Sequence, residues 1–409
     1  MSPRETVNSM HKADALAYDA DGVFSGPVPL KACEDLKLRN AKKILVVNMR
    51  YIGDTVWTIP FIRNLKRNLP HAEVSALVNT GGEVFLDAMP EISEVICFDR
   101  KKLKGGKHFF RNLGFLSGLR KKRFDAVFVL SNSDRPTIIS YATGAEIRIG
   151  FRSDNRWRKH LLSEKHTWDR ERNPHMIDYY LQALTDSGLK VYDRTLAIDI
   201  PAGAVGKLKE KLGGGHRPLR AGTACHEMGH GRKAVVVHPG ARGPLRQWGA
   251  ENFAEVINAL HGRYKIFLIG GPGEEDIVKG VMQRLKSPPD IASTDLGLME
   301  FAALCSKSDL FIGNDSAPIH IAAASGLFVI GIYGPTVSKY CGPWTDRKFL
   351  FDMSDAPCRP CMQDACACAE FKTCLKDIRP ADVAGKAENI LGALGTRGKG
   401  ALAYAQVTG

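Results

Sequence analysis

Short runs of aliphatic and β-branched residues recur along this chain, and each is followed by a turn and a stretch whose apolar residues have helical spacing. The first half contains such runs at 44–47, 72–78, 93–99 and around residue 127. Runs without polar alternation are typical of strands that are buried on both faces. Strands that alternate with helices predict a parallel sheet covered on both sides by those helices.

The same alternation resumes at residue 234 with "AVVVHPG" and continues through "KIFLIGG", "DLFIGND" and "FVIGIYGPT". The chain has 409 residues, of which 44% are hydrophobic, so it is long enough to bury two separate cores. We therefore expect an α/β protein with two domains of similar construction.

Composition sets the expected domain boundaries. The first 41 residues are polar and lack a period, which is typical of a mobile extension. Six glycines between Gly213 and Gly231 disfavour a helix in the linker, because each glycine costs about 1 kcal/mol in a helix interior. The predicted parts are an extension 1–41, a first α/β domain 42–200, a glycine-rich linker 201–233, a second α/β domain 234–345, a cysteine-rich segment 346–379, a terminal helix 380–394 and a tail 395–409.

The pentapeptide from His226 to His230 has the H-E-x-x-H pattern of zinc peptidases. Those enzymes hold both histidines on one face of a helix, whereas this pattern lies among the linker glycines. The extended form of the motif would also need glycine at Lys233 and histidine at Val236. We interpret the match as a chance occurrence, with a zinc peptidase or a weak surface metal site as distant alternatives.

The net charge of +13 predicts a surface that attracts anions, whether nucleic acid, anionic lipid or phosphorylated small molecules. No stretch has the roughly 18 consecutive apolar residues of a membrane helix. The N-terminus has no apolar core after a basic start, so no secretory signal is visible. These features predict a cytoplasmic protein.

Two segments lie where an open parallel sheet binds ligands, at the carboxyl ends of strands. In the first, the strand near residue 44 leads through Gly53 to Asp54 at the start of a helix. The helix dipole favours an ionised carboxylate there, and an ionised, partly exposed carboxylate that faces a cleft can act as a general base. The alternative is a plain helix cap.

The second segment is Asn314 to His320, which follows the strand "LFIG" and enters a helix of small residues. Ser316 and Ala317 leave the backbone N–H groups of the first helical turn open to an anion, as a phosphate site requires. Gly334 and Thr336 would stand at the next strand end. The alternative for this pair of segments is an ordinary βα turn.

In this order, "ILVVNMRYIGDTVWTIP", "VVVHPGARGPLRQWGAENF", "IFLIGGPGEED", "FIGNDSAPIHIAAASG" and "CGPW" resemble glycosyltransferase family 9, the ADP-heptose:lipopolysaccharide heptosyltransferases. The resemblance extends from about residue 42 to residue 394. It implies a GT-B fold, in which two Rossmann-like domains face each other across a cleft. Residues 42–200 would bind the acceptor, and residues 234–345 would bind the nucleotide sugar.

The resemblance also implies roles for individual residues. Asp54 would be the catalytic base, and Arg246 would bind the diphosphate where many family members use lysine. Arginine keeps the charge, but its planar fork changes the contact geometry. Glu274 or Glu275 would accept hydrogen bonds from the ribose. The other implied donor contacts are Gly240, Ala241, Asp315, Ser316, Ala317, His320, Gly334, Pro335 and Thr336.

The implied reaction is a single inverting displacement without a metal or other cofactor. The donor would be ADP-L-glycero-D-manno-heptose and the acceptor the inner core of lipopolysaccharide, at the cytoplasmic side of the inner membrane. The only D-x-D sequence, Asp19 to Asp21, lies in the extension, which does not favour a metal-held diphosphate. Another nucleotide sugar or acceptor, or a non-catalytic anion-binding protein, remain alternatives.

Residues 100–125 combine many lysines and arginines with Phe109, Phe110 and Phe115. Such a segment predicts contact with anionic lipid headgroups or with a phosphorylated acceptor. The alternative is a solvated helix face. Nucleic-acid binding fits the charge but not the motifs, and we do not expect it.

A cluster of five cysteines follows the second domain: Cys358, Cys361, Cys366, Cys368 and Cys374. Their spacing matches neither a zinc ribbon nor a ferredoxin closely. Three alternatives stay open, namely reduced thiols that pack a loop, a structural metal site and a disulfide.

Overall fold

The computed structural model describes residues 32–99, 109–151, 160–166, 174–213, 232–352, 358–361, 366, 368 and 372–394. The chain divides into two compact units, Met1–Thr195 and Leu196–Gly409. Each unit contains one six-stranded sheet in which all strand pairs are parallel. Among the described residues, no helix combines the length and the apolar character that a membrane crossing needs.

The first unit alternates strands and helices as predicted. Its strands are β1 Lys43–Asn48, β2 Glu73–Asn79, β3 Glu94–Phe98, β4 Ala126–Val129, β5 Ile147–Phe151 and β6 Glu164–His166. Its helices are α1 Ala32–Arg39, α2 Ile52–Trp57, α3 Ile59–Asn68, α4 Glu83–Asp87, α5 Phe109–Lys121, α6 Asp134–Ala142 and α7 Met176–Asp186. The first four strands lie at the four apolar runs of the first half, which confirms that these runs form strands.

The sheet order in this unit is β3-β2-β1-β4-β5-β6. Strand β1 lies in the middle, and its residues from Ile44 to Val47 are all buried, which explains a continuous apolar run. The chain leaves β1 toward β2 and later crosses back to β4, so the order reverses between β1 and β4. Ligands of open parallel sheets bind at such a switch point. Asp54 follows β1 at this position.

The second unit repeats the plan. Its strands are β7 Ala234–His238, β8 Lys265–Ile269, β9 Ile291–Ser293, β10 Leu310–Asn314, β11 Phe328–Tyr333 and β12 Lys348–Asp352. Its helices are α8 Ala202–Gly213, α9 Ala250–Leu260, α10 Glu275–Met282, α11 Leu298–Ser306, α12 Ala317–Ala324, α13 Ser338–Cys341, α14 Thr373–Lys376 and α15 Pro380–Leu394. The order β12-β11-β10-β7-β8-β9 reverses between β7 and β10. Two predicted donor contacts, Gly240 after β7 and Asp315 after β10, therefore follow the strands at this unit's switch point.

The N-terminal extension is shorter than predicted. Helix α1 lies inside the stretch 1–41, and Leu38 and Ala41 are buried. These two apolar side chains anchor the end of a stretch whose average composition is polar. Residues 1–31, with Asp19 and Asp21, lie outside the described residues.

The linker prediction was wrong over its first part, because helix α8 occupies 202–213. Ala204 and Leu208 are buried, and α8 packs on α11. Gly203 and Gly206 have open space where a Cβ would stand, so they leave no gap in the packing. The glycine-rich part begins only at the end of this helix. Residues 214–231, with His226 and His230, lie outside the described residues.

The second domain also continues past its predicted end at residue 345. Strand β12 pairs with β11 at the edge of the sheet, and all five of its residues are only partly buried. An edge strand of this kind lacks the fully apolar run that marks the central strands. The terminal helix was predicted correctly, since α15 spans Pro380–Leu394.

The packing of α8 predicts a measurable effect on stability. Replacing the fully buried Leu208 with alanine should lower the free energy of unfolding by about 2–5 kcal/mol, through lost burial and the cavity that remains. The neighbouring exposed Lys207→Ala should change it by less than about 0.5 kcal/mol. Denaturant unfolding of both variants measures the difference. Equal stabilities would show that α8 does not contribute to the core.

Candidate active site

Asp54 is the third residue of α2 and lies just beyond the carboxyl end of β1. The sequence predicted a partly exposed carboxylate, and this was wrong, because the residue is only 6% exposed. Two neighbouring side chains contact the carboxylate and explain why it is less exposed than predicted. Arg50 approaches from the turn after β1, and Tyr180 approaches from α7.

The two oxygens of the Asp54 carboxylate have different surroundings. Oδ1 lies 2.9 Å from Nε of Arg50 and accepts a 2.9 Å hydrogen bond from the Tyr180 hydroxyl. Among the described residues, the one donor to Oδ2 is the backbone N–H of Tyr51, at a long 3.4 Å. Burial raises the pKa of the Tyr180 phenol well above its ordinary value, and the nearby charge of Asp54 raises it further. Tyr180 is therefore a neutral donor to the carboxylate.

The turn that carries Asp54 is fixed by buried polar side chains. Nδ2 of Asn48 donates to the Asp54 carbonyl at 3.2 Å and to Oγ1 of Thr58 at 2.8 Å. The Thr58 hydroxyl donates to the same carbonyl at 2.9 Å. Helix α7 is capped by His175, which accepts from the N–H of Ile177 and packs edge-on against Trp57. These contacts hold α2 and α7 in place around the carboxylate.

In the second unit, Glu274 and Gly240 lie against each other. A Cβ on Gly240 would stand 2.2 Å from the Glu274 carboxyl carbon, so the carboxylate occupies the space that a side chain would fill. Oε2 of Glu274 accepts from the N–H of Gly271 at 2.7 Å and lies 3.3 Å from Nε2 of His238. Burial lowers the pKa of His238, against the opposing charge of Glu274.

Glu275 has different surroundings, although it is the next residue. It is exposed, and its carboxylate accepts from the N–H of Gly273 at 3.1 Å, close to the start of its own helix. Hydrogen bonds from backbone N–H groups lower the pKa of Glu275. Of the two glutamates, Glu274 therefore lies beside Gly240, whereas Glu275 is the first residue of α10 and contacts the N–H of Gly273.

Asp315 and Arg246 form an ion pair just after β10. Nη1 of Arg246 lies 3.2 Å from Oδ2 of Asp315, and the Thr336 hydroxyl donates to the same oxygen. Burial raises the pKa of Asp315, and the charge of Arg246 opposes this rise. The Arg246 side chain is 45% exposed while its partner is almost fully buried. The pair thus anchors a guanidinium that still reaches solvent.

Helix α12 begins beside this ion pair. Its cap residue Ser316 makes no side-chain cap, and the Ser316 hydroxyl donates a long 3.5 Å hydrogen bond to the Gly240 carbonyl. Nδ2 of the preceding Asn314 donates to the Pro239 carbonyl at 2.7 Å. The ends of β7 and β10 are therefore tied together, with the first amides of α12 between them. His320, one turn into the helix, is buried.

The loop from Gly334 to Thr336, which was predicted to contact the donor, is supported by the cysteine-rich segment. A Cβ on Gly334 would stand 2.6 Å from Cγ of Leu375, and the Pro335 carbonyl accepts from the Cys361 N–H at 2.8 Å. Arg359 donates to the Thr336 carbonyl and pairs with Asp352. No sequence pattern indicates these contacts, because they join side chains and loops that are not spaced by any period.

The five cysteines are free thiols. The N–H of Lys372 donates to Sγ of Cys366 at 3.3 Å. A hydrogen bond with Cys358, burial and a hydrogen bond with Cys366 raise the pKa of Cys368 to about 12. Within the described part of the chain, no three His, Cys, Asp or Glu side chains are arranged to hold a metal ion. The three alternatives for this segment therefore stay open as predictions.

The structure thus brings most predicted donor residues to one switch point. Glu274 lies against Gly240 after β7 and β8, and Arg246 and Thr336 both contact Asp315 after β10. Ala241 is buried next to them, and its carbonyl accepts from Gln247. The sequence analysis missed several side chains that contact predicted site residues, among them Arg50, Tyr180, His238 and Arg359.

Comparison with known proteins agrees with the family resemblance of the sequence motifs. The family described as "Glycosyltransferase family 9 (heptosyltransferase)" matches residues 113–372. The chain is 27% identical to Lipopolysaccharide heptosyltransferase 3 of Escherichia coli over 318 residues, which cover 75% of this chain and 88% of the relative.

Two solved structures show the same fold. A glycosyl transferase family 9 protein from Veillonella parvula gives a TM-score of 0.71 at 22% identity, covering 86% of this chain and 97% of that one. The E. coli ADP-heptose lps heptosyltransferase II gives 0.67 at 20% identity, covering 86% and 99%. The predicted GT-B class, with two Rossmann-like α/β units, is confirmed.

Proposed function

Because this chain belongs to glycosyltransferase family 9, it is a glycosyltransferase, and we propose that it transfers a heptose from ADP-L-glycero-D-manno-heptose to the inner core of lipopolysaccharide. The relative named as a lipopolysaccharide heptosyltransferase supports transfer of a heptose to lipopolysaccharide. The observation that carries the proposal is the anchored, solvent-reaching Arg246 beside the open first turn of α12. Positive charge and the N-terminal amides of a helix at a switch point suit a diphosphate.

The donor would be held by the second unit. Arg246 and the backbone amides at Ser316 and Ala317 would bind the two phosphates. Glu274 would accept from the ribose hydroxyls through Oε1, because the described donors contact only its Oε2. Gly240 would let the nucleotide approach the backbone, since it has no side chain. The donor site would be completed by Ala241, His320 and the loop 334–336.

Asp54 of the first unit would activate the acceptor. Its carboxylate takes the proton from an acceptor hydroxyl while that oxygen attacks the anomeric carbon of the heptose. The new glycosidic bond forms as the bond from the anomeric carbon to the phosphate oxygen breaks, and ADP departs. The displacement inverts the anomeric configuration. Arg246 and the α12 amides stabilise the charge that develops on ADP, so the step needs no metal.

Association with the inner membrane is part of the proposal. Arg120 and Lys121 at the end of α5 are exposed, and Arg123 follows them. Basic side chains near an anionic membrane surface contribute about 1 kcal/mol each. This face would keep the enzyme near its lipid-linked acceptor on the cytoplasmic side.

The proposal is tested by a transfer assay with heptose-deficient lipopolysaccharide and a panel of donors. We expect turnover with ADP-heptose, an inverted anomeric centre in the product, and an unchanged rate in EDTA. Turnover only with a different nucleotide sugar would replace the proposed donor within the same family. Binding of ADP without any transfer would instead favour a non-catalytic anion-binding protein.

The two neighbouring glutamates allow a matched test of donor binding. Glu274→Gln should weaken ADP binding by about tenfold to a hundredfold, because hydrogen bonds to a charged acceptor contribute about 1.5–3 kcal/mol. Glu275→Gln removes the same charge one residue away and should change the affinity by less than about threefold. Calorimetric titration with ADP measures both. A larger loss in the Glu275 variant would reverse the assignment.

A further inference from the structure

The carboxylate of Asp54 is held asymmetrically. The side-chain donors that the structure places around it, Arg50 and Tyr180, both contact Oδ1 at 2.9 Å. Within the part of the chain that the structure describes, Oδ2 accepts from the backbone N–H of Tyr51 alone, at 3.4 Å. An oxygen with two short donors has little capacity left for another proton, whereas Oδ2 keeps its lone pairs. The two oxygens are therefore suited to different tasks.

Tyr180 is the unexpected member of this group. It lies 126 residues after Asp54 on a helix of the same unit, and its side chain is fully buried. A buried hydroxyl normally needs a partner, and this one donates to the carboxylate that the proposed reaction uses. Arg50 is partly exposed and lies only four residues before Asp54. Tyr180 is fixed by the packing of α7.

We propose that Tyr180 is a positioning residue for the transfer reaction: its hydroxyl fixes Oδ1 of Asp54, so that Oδ2 is the atom that receives the acceptor proton. This inference rests on the proposed role of Asp54 as the base. Tyr180 does not touch the substrate and keeps its own proton. Its effect is to restrict rotation of the carboxylate, which keeps the basic lone pair in one direction.

The test is Tyr180→Phe, which removes the hydroxyl and keeps the ring. We expect kcat to fall by about tenfold to a hundredfold with little change in KM, because binding is retained and orientation is lost. The pH dependence of kcat should also differ from that of the parent protein, because the reacting carboxylate loses one of its hydrogen-bond donors. Arg50 remains as the other ionisable contact of Asp54 among the described residues.

The adjacent tyrosine gives a matched control. Tyr179 is also buried on α7, but it stacks on Phe151 with ring centroids 3.7 Å apart. Tyr179→Phe should keep both kcat and the pH profile of the parent protein. A role that is only structural would lower the melting temperature of Tyr180→Phe and the amount of active enzyme, but it would leave the pH profile in place.

A double variant separates this inference from the proposed function. If Tyr180 acts through Asp54, adding Tyr180→Phe to an Asp54→Asn background should lower the residual rate by no more than about twofold. Parent-like kcat and pH profile in Tyr180→Phe, with Asp54→Asn inactive, would overturn the inference and leave the proposed base intact. Full activity of Asp54→Asn would contradict the proposed function itself.

Discussion

Asp54→Asn should lower kcat for heptose transfer by about 10²–10⁴-fold, the range expected when a general base is removed. Asparagine has nearly the same size and keeps an oxygen that can accept from Tyr180, so the packing of α2 should survive. The amide cannot take up the acceptor proton at neutral pH. ADP affinity should stay within about twofold, because every proposed donor contact belongs to the second unit.

A second carboxylate of the first unit serves as the control. Asp178 on α7 is also largely buried and pairs with Arg194, but it makes no contact with Asp54. Asp178→Asn is expected to cost stability and to keep turnover per folded molecule within about threefold. Steady-state kinetics and circular dichroism of both variants distinguish chemistry from folding. Parent-like turnover in Asp54→Asn would mean that another group is the base.

Arg246→Ala is the other change with a large expected effect. It should lower kcat by about 10²–10³-fold, as the loss of one charge-stabilising donor at a leaving group does, and it should also weaken ADP binding. Arg246→Lys should recover part of the rate, because the charge returns without the planar fork. Kinetics with ADP-heptose and titration with ADP measure the two effects separately.

The control for Arg246 is Arg232, which pairs with the partly buried Asp290 in the same unit and has a similarly exposed side chain. Arg232→Ala should leave kcat and ADP affinity within about twofold of the parent. If both variants lost affinity equally, general surface charge rather than a defined diphosphate contact would explain the donor binding.

Arg246→Ala should also make stability depend on pH. Burial raises the pKa of Asp315, and Arg246 is the main group that opposes this rise. A buried carboxyl whose pKa is raised costs stability once it must ionise, so the cost increases as pH rises above the unfolded value. Without Arg246 the loss of stability should therefore be larger at pH 7 than at pH 5. Denaturant unfolding at the two pH values tests the direction.

Local patterns were enough to predict most of the fold. Runs such as Ile44–Val47 mark strands because both faces of a central parallel strand are buried. Helix α8 was missed because the glycines that follow it dominated the composition of the whole stretch 201–233. Strand β12 was missed because its residues are only partly buried at a sheet edge. In both cases tertiary packing decides what composition leaves open.

The candidate site, like the fold, could be predicted from the sequence only in part. Residues that follow a strand directly, such as Gly240 and Asp315, could be placed from the sequence, because the end of a strand fixes their position. The choice between Glu274 and Glu275 needed coordinates, since adjacent side chains on a turn point in different directions. Tyr180 could not be paired with Asp54 by any local pattern, because 126 residues separate them.

The contacts that support the loop 334–336 have a consequence for protein engineering. The contacts from Cys361, Arg359 and Leu375 all come from chain that follows the last residue named in the donor site. A fragment ending at residue 345 would retain every proposed donor ligand and still lose the scaffold that shapes their loop. Minimal versions of this enzyme should therefore keep the chain through α15.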